Sequence, residues 1–154
     1  MASLSYNEIM SRFFSKVQAY DLIELDQQEA NEFLCSWIHS ASSKPYIRRL
    51  FLNFILDDEI QELTYEMKYS VDEYSDEEFI LEILGMGVVI EWLEPRINSA
   101  LLINQVYGSK EEKFYSQSSH LATLQNLKTT LVQAQRQTIV DRGYAWNSYL
   151  DGDK

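Results

Sequence analysis

A single cysteine, Cys35, excludes an intramolecular disulfide and leaves no second thiol for a cysteine-rich metal site. Cys35 falls beside an apolar helix face, where a buried structural thiol is expected rather than a nucleophile. The two histidines, His39 and His120, belong to no H-E-x-x-H or similar ligand pattern; a helix-end role suits the first and a hydrogen-bonding role on a helix the second. Also missing are a G-x-S-x-G turn, a phosphate-cradling Walker loop and a dinucleotide glycine pattern. Strand signals are nearly absent, since the only Asp-Gly pair, Asp151-Gly152, stands at the terminus and not between alternating runs. The opening MASLSYNEIMSRFF has no basic head followed by an apolar core, so nothing marks it for secretion and a reducing cytoplasm is the expected compartment. There is no internal repeat, proline-rich linker or low-complexity tract, and 154 residues suit one domain with a real core.

Basic residues are scarce and unevenly placed. From Asp57 to Glu94 there are 13 acidic residues against one basic, Lys68, whereas the rest of the chain nets +1 of the overall -11. An acidic segment held in a folded domain repels nucleic-acid phosphate, which disfavours sequence-independent gripping of DNA and favours a surface past which DNA slides. A solvated acidic face that keeps the protein soluble is the plainer alternative. Lys44, Arg48 and Arg49 form the only local basic cluster, suited to a solvated helix face or to the acidic segment of a neighbouring copy.

What is abundant is apolar helical pattern. In Phe79 to Leu93, Ile80, Ile83, Leu84, Val88, Ile90 and Leu93 cover most of the circumference and leave Glu82, Glu91 and Trp92 to meet water. A helix apolar nearly all round must be enclosed by others. Gly85 and Gly87 would each weaken a lone helix by roughly 1 kcal/mol and make sense where a neighbour approaches the backbone closely. The apolar run is far shorter than the roughly 20 residues a membrane span needs. This stretch is therefore expected to be the central post of an all-α bundle.

The remaining elements read in order. Ser5 with Glu8 forms a capping box before Ile9, Phe13 and Val17, predicting a helix from Ser5 to Tyr20. Asp26 and Glu29 start a second, with Ala30, Phe33, Leu34, Trp37, Ile38 and Ala41 inward and a break over Ser40 to Lys44. Pro45 opens a third, carrying Ile47, Leu50, Phe51, Phe54 and Ile55. Asp57 and Asp58 place negative charge at the start of a fourth, with Ile60, Leu63 and Met67 buried, and Tyr69 to Tyr74 reads as loop. Ser75 with Glu78 caps the central helix, Pro95 kinks or restarts it, Ile97, Leu101, Leu102 and Val106 continue it, and Gly108 closes it. Ser109 with Glu112 opens the longest helix, from Lys110 to Asp141, roughly 48 Å at 1.5 Å per residue. Its apolar seam of Phe114, Leu121, Leu124, Leu127, Leu131, Ala134 and Thr138 is narrow, and Gln117, Gln125, Gln133, Gln135 and Gln137 occupy the other faces. Such a helix looks built to lean on a neighbour. After Gly143, Tyr144, Trp146 and Tyr149 alternate with a two-residue period beside Leu150, giving an extended tail that either folds back or docks on another subunit. The expected organisation is a helical domain over 1–142 and a docking tail over 143–154.

One carboxylate constellation carries possible chemistry. Asp58, Glu59 and Glu62 on one helix, with Glu91 and Glu94 three apart on another, could hold Mg²⁺ between packed helices. The spacing is similar to the E-E-x-x-E and E-x-x-D pattern of all-α nucleotide pyrophosphohydrolases. Asp58 stands where that pattern has Glu, Glu94 where it has Asp, and Pro95 interrupts the second helix.

The run Phe114-Tyr115-Ser116-Gln117-Ser118-Ser119-His120-Leu121, with Leu124, Leu127 and Asp141-Arg142-Gly143-Tyr144, resembles the head-to-tail connector (adaptor) proteins of tailed bacteriophages. The likeness spans about Ser109 to Leu150 and lies in composition and order, not in a catalytic signature. The resemblance implies a non-enzymatic structural protein of the virion neck, without cofactor, catalytic or metal residues, made in the cytoplasm of the infected bacterium. It implies a homo-oligomeric ring, typically dodecameric, between the portal protein and a distal neck or tail protein, through which DNA passes without sequence-specific binding. The portal-docking extension would be Tyr144 to Lys154, with Tyr144, Trp146, Tyr149 and Leu150 as contacts, and Asp72, Glu73, Asp76, Glu77 and Glu78 are the channel-facing acidic candidates. The pyrophosphohydrolase and a small helical adaptor that grips a protein partner by its aromatic tail are the alternatives.

Overall fold

The computed structural model describes residues 1–17, 26–107 and 111–143, with side chains described except at 100, 102–107 and 111–119. Those residues form strand β1 (Ala2–Ser5), helix α1 (Tyr6–Lys16), α2 (Gln27–Ser42), the short α3 (Pro45–Arg48), strands β2 (Phe51–Asp57) and β3 (Glu62–Met67), and two long helices, α4 (Glu73–Tyr107) and α5 (Glu111–Gly143). Helix dominates, but a three-stranded antiparallel sheet of order β1-β3-β2 makes the fold not purely all-α.

Local signals decide the first helices. Ser5 and Glu8 do form a reciprocal capping box, the serine hydroxyl receiving the Glu8 amide at 3.3 Å and the Glu8 carboxylate the Ser5 amide at 2.8 Å. Ile9 and Phe13 are buried, and the described helix ends at Lys16. In α2, Leu34, Ile38 and Ala41 are buried as expected, whereas Phe33 stays half exposed. Pro45 occupies the first turn of α3, which lasts only four residues.

From Phe51 to Met67 the two expected helices are replaced by a hairpin. Leu63, Tyr65 and Met67 alternate inward against outward Thr64 and Glu66, a strict two-residue period that puts one face of β3 in the core. Leu4, Leu63 and Leu56 stand in one cross-strand row, and Ala2, Tyr65 and Phe54 in the next. A bulge between Phe51 and Asn53 breaks the same period in β2 and hides it from the sequence. The turn contains no glycine: Gln61 adopts a left-handed φ of 53°, and the Asp57 carboxylate accepts from the amides of Glu59 and Ile60. Asp57, whose charge was expected at the start of a helix, thus closes a hairpin turn.

Helix α4 is the central post. Ile80, Ile83, Leu84, Val88, Val89 and Leu93 are almost wholly buried, and so is Trp92, which was expected to face water. Its ring meets Phe13 edge-on with centroids 6.0 Å apart and lies under the Arg96 guanidinium. The cap is Asp72, not Ser75: the Asp72 carboxylate accepts the Ser75 amide at 2.7 Å. The helix runs through Pro95 without a restart, and Gly108 and Ser109 lie outside the described residues. A Cβ on Gly85 would stand 2.6 Å from Cγ of Arg12 in α1, and one on Gly87 2.9 Å from Cβ of Ala41 in α2, so both glycines are there for close helix approach.

Helix α5 runs antiparallel to α4, because Arg142, Gln135 and Lys128 meet Asp76, Ile83 and Glu94 in turn. No helix among the described residues is long and apolar enough to cross a membrane.

Candidate functional site

The five acidic candidates at the start of α4 separate into different roles. Asp72 and Glu73 are exposed, and Glu77 is half-buried. Glu78 receives Arg12 at 2.8 Å, and the same guanidinium reaches Glu82 at 2.9 Å. Asp76 departs from the expected exposed set: it is 6% exposed, and it accepts from Ser70, from the Val71 amide and from Arg142, so its carboxylate is held inside the fold. Burial would push its carboxyl up, but those three donors outweigh burial and hold it below the usual carboxylate range. Glu82 follows the same balance, with Lys16 and Arg12 overcoming the penalty of burial.

The carboxylate set that would have held Mg²⁺ does not assemble. Asp58 and Glu59 lie in the hairpin turn and Glu62 in β3, so they share no helix face. Glu91 pairs with Lys44 at 3.3 Å and Glu94 with Lys128. Among the described residues no group of three or more His, Cys, Asp or Glu side chains is placed to hold a metal ion.

Asp58 instead joins a cluster that sequence reasoning missed. Tyr6 of α1 donates its hydroxyl to Asp58 at 2.6 Å, and Nε2 of His39 on α2 lies 2.8 and 2.9 Å from the two carboxylate oxygens. No local pattern announces a contact between residues 52 and 19 positions apart. The bond from Tyr6, then that from His39, holds the Asp58 carboxyl below its ordinary range, while burial and Asp58 together push the Tyr6 hydroxyl far up.

A cleft of about 790 Å³ opens beside this cluster, lined among others by Asp26, Glu32, Cys35, His39 and Asp58. Burial, and then the charge of Asp58, pushes the Cys35 thiol up, so the sulfur stays protonated and weakly nucleophilic at neutral pH. The bonds from Tyr6 and His39 to Asp58 tie the hairpin to α1 and α2.

On α5 the expected seam is only half covered. Leu121, Leu124, Leu131 and Thr138 are half-buried, Leu127 is 40% exposed and Ala134 faces out, and outside the expected seam Val140 is 48% exposed. Gln135 departs from the expected wet face: it is 1% exposed, donates to the main-chain oxygen of Ile83 at 2.8 Å and accepts from the Tyr46 hydroxyl at 3.1 Å. His120 is exposed. Tyr144, Trp146, Tyr149 and Leu150, and the side chains of Phe114 and Gln117, lie outside the described residues. No protein-family model, curated protein sequence or solved structure matches the chain.

Proposed function

We propose that this chain is a non-enzymatic structural protein, a ring-forming connector between the portal and a distal neck or tail protein of a tailed-phage virion. The observation that carries the reading is the unfinished cover of α5. A helix of 33 residues keeps Leu127 and Ala134 of its seam, and Val140 beyond it, exposed while Leu121, Leu124 and Leu131 are only half-buried, which suits a subunit completed by neighbouring copies. The likeness of Ser109 to Leu150 to phage adaptors supplies the class of assembly. The charge distribution agrees with it: exposed Asp72 and Glu73, with Glu77 beside them, would repel phosphate from a channel wall. The aromatic residues of the terminal segment, Tyr144, Trp146 and Tyr149, are the proposed portal contacts.

Deleting Tyr144 to Lys154 tests the reading on portal-bearing capsids. The truncated chain is expected to keep its melting temperature and lose attachment, whereas undiminished attachment counts against the connector.

A further inference from the structure

Two places on the surface set charges of opposite sign beside apolar side chains, and the guanidinium of Arg136 in the first lies 5.7 Å from the centre of the Tyr46 ring. One is a groove along α5, where depressions of about 540 and 240 Å³ flank Arg136. Ile97 and Val132 supply apolar wall on one side of that arginine, Ile139 and Val140 on the other. Arg49 and Arg136 line it, and neither has an ion pair among the described residues. The other place is the tip of the β2–β3 hairpin. Ile60 is 66% exposed there, and the flanking Glu59 and Glu62 have no ion pair among the described residues.

We propose that the hairpin tip of one copy seats in the Arg136 groove of the next, an inference that rests on the ring reading. The tip is an apolar knob edged by carboxylates, and the groove an apolar trough edged by guanidinium groups, so each supplies what the other lacks. The knob is also held in shape before it binds. Asp57 closes the turn, Asp58 is gripped by Tyr6 and His39, and the Gln61 carbonyl accepts the Tyr6 amide at 2.9 Å. Little ordering remains to oppose association. Knob and groove share no residue, so the contact can join copies head-to-tail, and such a contact closes into a ring where the rotation between copies allows. A second copy always brings the knob in equal number, while a nucleic acid would meet a chain of net charge -11.

Disulfide trapping in the concentrated full-length chain tests the contact, with Cys35→Ser in every variant. A mixture of Ile60→Cys and Gln133→Cys chains is expected to cross-link between unlike copies, and the two cysteines in one chain should give a ladder of rising oligomers. Ile60→Cys mixed with Asn126→Cys, exposed on α5 outside the groove, is the control. Arg136→Glu or Glu59→Arg alone should cut the cross-link yield about tenfold through like-charge opposition, and the two together should restore it. Circular dichroism and melting temperature check that each variant is folded. Yield no higher than the control, or indifferent to the charge changes, overturns the proposal, and a product that stops at the dimer overturns its head-to-tail form. Neck rings seen by electron microscopy without this cross-link would leave the connector standing and remove the contact. A ladder from a chain that never joins a capsid would do the opposite.

Discussion

Gln135 of α5 donates to the main-chain oxygen of Ile83 in the first third of α4, at 2.8 Å, and the approach passes over Gly87. Lys128, Gln135 and Arg142 stand seven residues apart and each makes a polar bond across the same helix pair, to Glu94, Ile83 and Asp76. An apolar seam alone tolerates sliding between antiparallel helices. Polar groups that are satisfied in only one alignment set the register.

Gly87→Ala probes that approach. The new Cβ would stand 2.9 Å from Cβ of Ala41 and 3.3 Å from Nε2 of Gln135, so α2 or α5 must shift. Overpacking costs about 1–3 kcal/mol against a gain of about 1 kcal/mol in helix propensity, so chemical denaturation should show a net loss of up to about 2 kcal/mol. Gly143→Ala, with nothing within 4 Å of its new Cβ, should be neutral or slightly stabilising.

Arg142→Ala strands a buried carboxylate. The side chains of Asp76 and Arg142 are 8% and 11% exposed, and the guanidinium also stacks on Phe79. Removing one partner of such a pair is expected to cost about 3–5 kcal/mol, and removing both with Asp76→Leu should cost less than Arg142→Ala alone. A double-mutant cycle of urea midpoints measures the difference.

Acid should unfold the protein through carboxylates that ionise more readily when folded. Asp76, Glu82 and Asp58 are all held below their ordinary range, so the unfolded chain binds protons first as pH falls. Their contribution is complete above the unfolded values, near about pH 4, and disappears as pH drops through the folded ones. Urea midpoints taken across this range should decline with acidity, and Asp76→Asn should flatten the decline. An unchanged slope in that variant would remove Asp76 from the account.

Tyr6→Phe removes the hydroxyl from the hairpin lock and nothing else. The Tyr6 ring is fully buried but the Asp58 side chain is 54% exposed, so water compensates in part and the expected loss is about 1 kcal/mol. Hydrogen exchange at the Ile60 amide, which bonds within the turn to Asp57, should quicken in this variant while amides in α4 change only with global stability.

Elements whose signals lie within a few residues were legible from sequence. The Ser5 and Glu8 box, the start at Pro45, the inward Ile9 and Phe13 of α1 and Leu34, Ile38 and Ala41 of α2, and the enclosure of Phe79 to Leu93 stand as expected, Phe33 and Trp92 apart, because capping and helical periodicity are short-range properties. The hairpin did not show itself for two local reasons: a bulge interrupts β2, and Gln61 takes the left-handed position that glycine or asparagine normally advertises. Of the acidic candidates, Asp72 and Glu73 face solvent, while Asp76 does not.

By itself the sequence determined that the protein is mainly helical, that its middle helix must be enclosed, and that its negative charge is concentrated between Asp57 and Glu94. Only the tertiary structure decided that Phe51 to Met67 is sheet, that Gln135 and Asp76 point inward, and that Asp58 belongs with Tyr6 and His39. Helix periodicity and charge are properties of the chain read along its length. Strand pairing and the partner of a buried polar group depend on residues brought together from distant positions, and no local pattern records them.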